Sequence, residues 1–531
     1  MKYLFENTWK YARFILKIER KYFIIWFFAL FFLTLGQAQS FVDLYPTVED
    51  RNNMADAMNN PALVALMGIP YGYENCTLGV IFNQQTLLFT ATAMAIMNIL
   101  FISRNTASNE EKGITEMLRA YPVGRQFQIA ASLEISYIIN TVFALVIGLG
   151  LYGLKIESID LKGSILFGAV VGVSGLFFAS LTALFAQLTL SGAASISFGV
   201  LGASYVVRAI GDIGNNSVAK LSPLGLLSSS KVYSENNFVP VVLIFVLSLI
   251  VTASAVIFNT KRDYGSGLLE KNNRKDKSSP LLKSPLAFAA RLHRTSTIVW
   301  LVSVVVMGIS FGAMMNEIES QLESNDMMKE MFLSGAGETV IDKFTGVLMS
   351  ISAMLCTIPG ILVMMRLSTE ESSSRMDILM SHKVSRISVI GGYFAVTLII
   401  TLILQFVFSI SMWIGCTITL DSPKSCGYYV TTALAYIPAV WMMAGFAAAL
   451  LGVCRKVLTV VWVYFAYSVF VIYFGSMLKL PEKCAKLTAY GNVPDIHSSN
   501  VKYGGLIVIS CIFVVLTIVG FIGYQKRDIK N

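Results

Sequence analysis

The chain has 531 residues, of which 55% are hydrophobic and only 14% charged, and 41 Lys and Arg against 32 Asp and Glu leave a net charge of +9. Soluble domains carry about a quarter charged residues, so a soluble globule of this composition could not cover its surface. A polar nucleic-acid binder is excluded on the same ground despite the basic balance, and a polytopic all-α membrane protein remains.

A spanning helix needs about 20 mostly apolar residues, and uncharged runs of that length set the predicted elements in chain order. Residues 1–21 form an interfacial helix with Glu6, Lys10, Arg13, Lys17 and Arg20 on one face and Leu4, Tyr11, Ile15 and Ile18 on another. Spans follow near 22–42, 83–103, 129–154, 163–189, 192–210 and 238–260. The fourth and fifth come from one uncharged run of 45 residues, too long for one helix, which Thr189-Leu190-Ser191-Gly192 divides. A polar linker over 265–283 leads to a second interfacial helix at 284–295. Further spans lie near 296–316, 344–366, 387–415, 428–453, 457–478 and 503–525. Ala38-Gln39-Ser40 has the small-residue character of a signal cleavage site, but the patterned helix before it favours a retained span.

Twelve spans place both termini on one side. Loops on that side hold 28 of the 41 Lys and Arg and the opposite loops 12, with Arg208 inside a span. Cytoplasmic loops carry the basic excess, so both termini are expected in the cytoplasm.

The chain repeats itself. Lys261-Arg262-Asp263 returns as Lys526-Arg527-Asp528, 265 residues later. At a shift of 261, Glu116 coincides with Asp377, Leu118 with Leu379, Val123 with Val384 and Arg125 with Arg386. Arg20 and Trp26 parallel Arg294 and Trp300 at a shift of 274. Residues 1–264 and 284–531 therefore read as parallel six-span halves, each led by an interfacial helix. Facing each other, two such bundles would wall a central pathway.

Nothing in the chain is built to hydrolyse a nucleotide or hold a metal. There is no phosphate loop, not even a Gly-Lys pair, and the three histidines make no His-Glu-x-x-His. The seven cysteines show no zinc spacing; Cys416 and Cys426 share an outer loop where a disulfide between them is open, with free thiols the favoured expectation. No cofactor is expected in this chain. What stands out is a pair of acidic segments between spans, 105–125 and 368–386, each read as a short helix. Acids lie toward the first turn and Arg at the end, as the helix dipole favours. One such loop would read as a solvated surface; its repetition argues for docking of a partner.

The string Glu110-Glu111-Lys112-Gly113 through Glu116, Leu118, Ala120, Pro122, Val123 and Arg125 resembles the coupling helix of ABC-2 type exporter permeases. More narrowly, the chain resembles fused twelve-span polyketide or polyether antibiotic exporters of the tetronasin and narasin resistance type. Ala186-Gln187-Leu188-Thr189, Leu221-Ser222-Pro223-Leu224-Gly225 and Lys261-Arg262-Asp263-Tyr264-Gly265 add to the likeness, which covers nearly the whole chain. The resemblance implies a non-enzymatic permease in a bacterial plasma membrane that pairs with a separate ABC ATPase, usually two copies holding the ATP and Mg. It implies export of hydrophobic compounds and resistance to them. Coupling falls to Glu110, Glu111, Gly113, Glu116, Leu118, Pro122, Val123 and Arg125, with Glu370, Glu371, Asp377, Leu379, Val384 and Arg386 in the second half. It also implies re-entrant elements over 211–238 and 478–500. Ser372-Ser373-Ser374 and His382-Lys383 depart from the pattern, so the halves are expected to engage their ATPases unequally. The alternatives are an ion-coupled secondary multidrug transporter and a membrane immunity or sensor protein that does not transport.

Polar residues within the spans complete the candidates. Arg208 and Asp212, one turn apart, read as an ion pair holding the re-entrant element, ahead of a contact for an acidic ligand. Glu134 lies two turns into its span, where it can snorkel or accept an Arg from an interfacial helix. Asn140, Gln187 and Asn83-Gln84-Gln85 suit interhelical hydrogen bonds. Gly168, Gly172, Gly175, Gly199 and Gly202, with Ser180, Ser195 and Ser197, suit close helix packing.

Overall fold

The absence of Gly and Pro from residues 8–35 decides the first element. In the computed structural model Thr8–Leu44 is a single helix, α1, so the expected boundary between an interfacial helix and the first span does not exist. Its charged face breaks no backbone hydrogen bond, and 37 residues at 1.5 Å each reach about 55 Å, well beyond a hydrocarbon core. The structure describes all residues except 1, 59–60, 73–75, 190–191, 215, 264, 269–283, 314, 316–339, 373–375, 377–380, 382–383, 421, 475–480, 495, 498–502 and 528–531. Among the described residues there is no strand. Within those same residues twelve stretches of helix are long and apolar enough to cross a membrane. The chain divides into two compact units, Met1–Arg274 and Lys275–Asn531, and the division falls inside the expected linker.

In the first unit α1 is followed by the short helices α2 (Val48–Ala57) and α3 (Pro61–Met67), then α4 (Leu78–Asn105). Two more short helices, α5 (Ala107–Glu111) and α6 (Ile114–Arg119), lead to α7 (Phe127–Gly153), α8 (Leu161–Leu188) and α9 (Ala193–Ile213). A 3-10 turn (Ser217–Leu221) and α10 (Pro223–Ser228) precede α11 (Val239–Lys261). The most buried span is α8, which packs against α4, α7, α9 and α11. It approaches α7 where Gly168 faces the carbonyl of Ala144, which a Cβ would meet at 2.1 Å. Gly172 and Gly175 lie in the same seam, but Gly199 and Gly202 touch nothing within 4 Å, so the packing role expected of the fifth-span glycines is not found. Between α9 and α11, the 3-10 turn and α10 fold back onto α9 and α4.

In the second unit α12 (Pro285–Ala313) again merges the expected interfacial helix and span. The helix α13 (Val340–Ser372) runs through Pro359 and past the predicted end of its span, so residues 368–372 belong to it and not to a separate coupling helix. After α14 (Arg386–Thr419), the tenth span is two helices, α15 (Cys426–Ala435) and α16 (Ile437–Val453). Pro438, at the start of α16, cannot donate to the preceding turn and interrupts the helix at Tyr436, while Cys426–Val453 remains one span as expected. The unit closes with α17 (Val460–Phe474), α18 (Glu482–Lys486) and α19 (Gly504–Lys526). Here α12 pairs with α14, as α1 does with α7, and α16 pairs with α19, as α8 does with α11.

Candidate functional site

The segment after α4 is not one helix. Gly113 sits in the left-handed region at φ +72° and separates α5 from α6, a conformation that costs an L side chain roughly 1–2 kcal/mol. The break turns the acidic residues to different sides. Glu110 points inward: its side chain is 8% exposed, one oxygen accepts Arg262 Nη2 at 2.5 Å and the other accepts the Gly265 amide at 2.9 Å. Arg262 also donates to the Ala186 carbonyl at 3.2 Å, while Arg125 Nη2 donates to the Arg262 carbonyl at 2.7 Å. Helix α5, the ends of α8 and α11 and the approach to α7 are thus tied at one buried charge pair. Low dielectric strengthens the attraction, and removing one partner would leave the other stranded.

Three of these four links recur in the second unit, where the second oxygen of Glu371 has no hydrogen-bond partner among the described residues. Arg527 Nη2 meets Glu371 at 2.6 Å and Nη1 donates to the Leu451 carbonyl at 2.5 Å, while Arg386 Nη1 donates to the Arg527 carbonyl at 2.8 Å. Here Arg455 stands 4.0 Å from the same carboxylate oxygen, and Glu370 is taken up by Arg366 at 2.9 Å. Glu370 and Glu371 are therefore inward-facing structural acids. Val384 and Arg386 lie at the start of α14, and Asp377 and Leu379 lie outside the described residues.

What the first segment leaves on its surface is different. Glu111, Glu116 and Pro122 are exposed, and beside them stand Met117 at 74%, Tyr121 at 70% and Ile114 at 38% exposure. Leu118 and Val123 instead pack on the cluster of Tyr11, Ile15, Phe101 and Phe127. Thr115 is buried and bonds Gln128 at 3.0 Å. The N-terminus braces the segment from below: the Gly124 and Gln126 amides donate to the carbonyls of Glu6 and Leu4, at 3.0 and 2.8 Å. The result is a short acidic and apolar step on a rigid base. Sequence reasoning placed Glu110 and Arg125 with the docking residues and did not assign Arg262 or Arg527 a role. The recurrence of Lys-Arg-Asp at the ends of both halves was the signal that pointed to them.

The remaining polar candidates separate. Arg208 is fully buried, donates Nη1 to Asp212 at 3.0 Å and Nη2 to the Ala65 carbonyl at the end of α3, and lies 4.5 Å from the Tyr205 ring. It is spent on structure. Asn140 forms a reciprocal amide pair with Asn98 (3.0 and 2.8 Å), and Gly175 makes room for it, since a Cβ there would meet Asn140 Oδ1 at 2.0 Å. Gln187 is not a mid-membrane group: at the end of α8 it lines the same crevice as Glu110, Arg125 and Arg262, and its carbonyl accepts the Leu268 amide at 3.1 Å. Glu134 is half-buried with no ion-pair partner among the described residues. The acid that α1 engages is its own Glu19, 3.6 Å from Arg104. All seven cysteines, Cys416 and Cys426 included, are free thiols.

Twelve apolar helices in two units, each locked by a buried charge node at one end of its bundle, define a polytopic α-helical membrane protein. The family described as "Multidrug efflux system permease Rv1217c, C-terminal domain" matches residues 12–258 and 282–525, one stretch in each unit, and the chain belongs to that family. It is 25% identical over 492 residues, 92% of this chain and 88% of the relative, to the multidrug efflux system permease protein Rv1217c of Mycobacterium tuberculosis (strain ATCC 25618 / H37Rv). The chain is a multi-pass protein of the bacterial plasma membrane.

Proposed function

We propose that the chain is the permease subunit of an ATP-driven, ABC-2 type exporter with both termini in the cytoplasm. It moves hydrophobic or amphipathic compounds of the polyketide or polyether antibiotic class outward and confers resistance to them. Two ABC ATPase copies, holding the ATP and Mg, are its partners. One observation carries the reading: Ile114, Met117 and Tyr121 are exposed beside Glu111 and Glu116 on a segment whose base is bolted by the Glu110–Arg262 node. A solvated loop needs neither exposed Met and Tyr nor a buried ion pair, whereas a surface that a motor pushes on needs both a contact patch and stiffness. In the second half the acid of the node answers to two arginines, so the two halves are proposed to engage their ATPases unequally.

Purification of the tagged chain from native membranes tests this. The expected result is an ABC ATPase at about two copies per permease, lost on Met117→Asp with the permease still folded. Glu116→Lys is expected to abolish resistance at unchanged expression. If no ATPase accompanies the chain, even after crosslinking with nucleotide present, the reading fails.

A further inference from the structure

The end of the first unit opposite the node encloses a cavity of about 460 Å³, within the range of small-molecule sites. It lies between the turn after α3, the first turns of α4 and the segment from Asp212 to Lys231. Two consecutive side chains of α4 line it, and each carries a buried polar atom with no partner among the described residues. Asn83, 2% exposed, donates its amide to the Tyr71 hydroxyl, yet its Oδ1 has no partner among the described residues; Gln84, 7% exposed, has none for its Nε2. Buried polar atoms are almost always hydrogen-bonded. Both residues line the cavity, and rotation toward it would let a ligand hydroxyl meet the unmatched acceptor and the unmatched donor.

The charges at the mouth set the sign of that ligand. Asp212 faces the cavity, but Arg208 neutralises it at 3.0 Å. Lys231 is paired with Glu235 at 2.5 Å. Lys220 is exposed, with no acidic partner among the described residues, so the mouth carries one uncompensated positive charge. The neighbours of Lys220 show what it faces. Leu221 is 80% exposed, Val218 41% and Ile213 52%, apolar surface that in a membrane protein meets lipid. The rim is held open: Lys231, Tyr233 and Asn236 all have φ between 44° and 62°, and the Tyr71 hydroxyl donates to the Val232 carbonyl at 3.1 Å. Such left-handed non-glycine positions persist only where surrounding contacts over-determine them.

We propose that this cavity is a binding site for a phospholipid with an anionic, hydroxyl-bearing headgroup, the phosphate at Lys220 and a head hydroxyl at Asn83 and Gln84. Leu87 and Leu88 offer apolar wall beside it. Binding to the permease alone is at issue, so the proposal stands or falls separately from the ATPase partnership.

Native mass spectrometry of the purified full chain, titrated with phosphatidylglycerol, phosphatidylcholine and phosphatidylmethanol, tests it. Phosphatidylmethanol has the charge of phosphatidylglycerol without its head hydroxyls. Phosphatidylglycerol is expected to half-saturate at about tenfold lower concentration than phosphatidylcholine, a preference of the size one charge-assisted hydrogen bond supplies. Lys220→Ala should remove that preference. Gln84→Leu should weaken phosphatidylglycerol and leave phosphatidylmethanol unchanged, a pattern that general loss of fold would not produce. Equal binding of phosphatidylglycerol and phosphatidylcholine would overturn the proposal. So would variants that behave like Lys483→Ala, a surface lysine in the other unit.

Discussion

Arg262 and Glu110 are 152 residues apart in the chain and meet at 2.5 Å; Arg527 and Glu371, 156 apart, meet at 2.6 Å. In each unit an Arg after the last span reaches an acid at or just past the end of the second span's helix, and a second Arg at the approach to the third holds its carbonyl. The node ties several elements together at one end of the bundle, as the proposed coupling would require if displacement of a surface segment is to reach several spans.

Breaking the node should destabilise more than its net worth. Arg262→Ala leaves Glu110 buried without a counter-charge, and about 3 kcal/mol of stability should be lost. Glu110→Ala with Arg262→Ala should lose clearly less than the sum of the single variants. Thermal unfolding of the purified chain, followed by limited proteolysis within residues 1–274, reads this; additive losses would show that the pair is not coupled.

Gly113 carries a backbone requirement and no packing requirement, since nothing stands within 4 Å of its missing Cβ. Gly113→Ala should therefore cost about 1 kcal/mol, and Gly113→Asn less, because Asn tolerates the left-handed region. A larger loss in thermal unfolding for Asn than for Ala would contradict the assignment.

The Asn98–Asn140 pair should behave as interhelical glue and not as a substrate contact. A double-mutant cycle to Ala should give a coupling of about 0.6 kcal/mol and no more than about 2. Gly175→Ala drives a methyl into that pair and should cost about 1–3 kcal/mol by overpacking. An unaltered melting profile for Gly175→Ala would show the seam to be looser than described.

Arg208→Lys should not be tolerated as a conservative change. The planar guanidinium bonds Asp212, the α3 carbonyl end and the Tyr205 ring at once, which an ammonium on a flexible stem cannot reproduce. Faster limited proteolysis between residues 46 and 76 is expected, with α4 onward unaffected; cleavage at the wild-type rate would remove the role.

Much of the fold was legible because span length and polarity are properties of consecutive residues. The apolar helices lie close to where hydropathy puts the spans, and the departures have local causes: no breaker ends the helix at residue 21, and Pro438 interrupts the helix within the tenth span. The candidate site was legible only in outline. Glu110, Glu111 and Glu116 share one acidic string, but Gly113 and Arg262 together send the first inward and leave the others outside. Gln187 resembled a membrane polar group until the fold placed it beside the node.

By itself the sequence determined a twelve-span membrane protein with recurring Lys-Arg-Asp and acidic landmarks, because apolar run length and internal similarity need no partner to be read. Only the tertiary structure decided which charges are bolts and which are surface. A carboxylate's burial is set by what lies across the bundle, and for Glu110 that is an arginine 152 residues away.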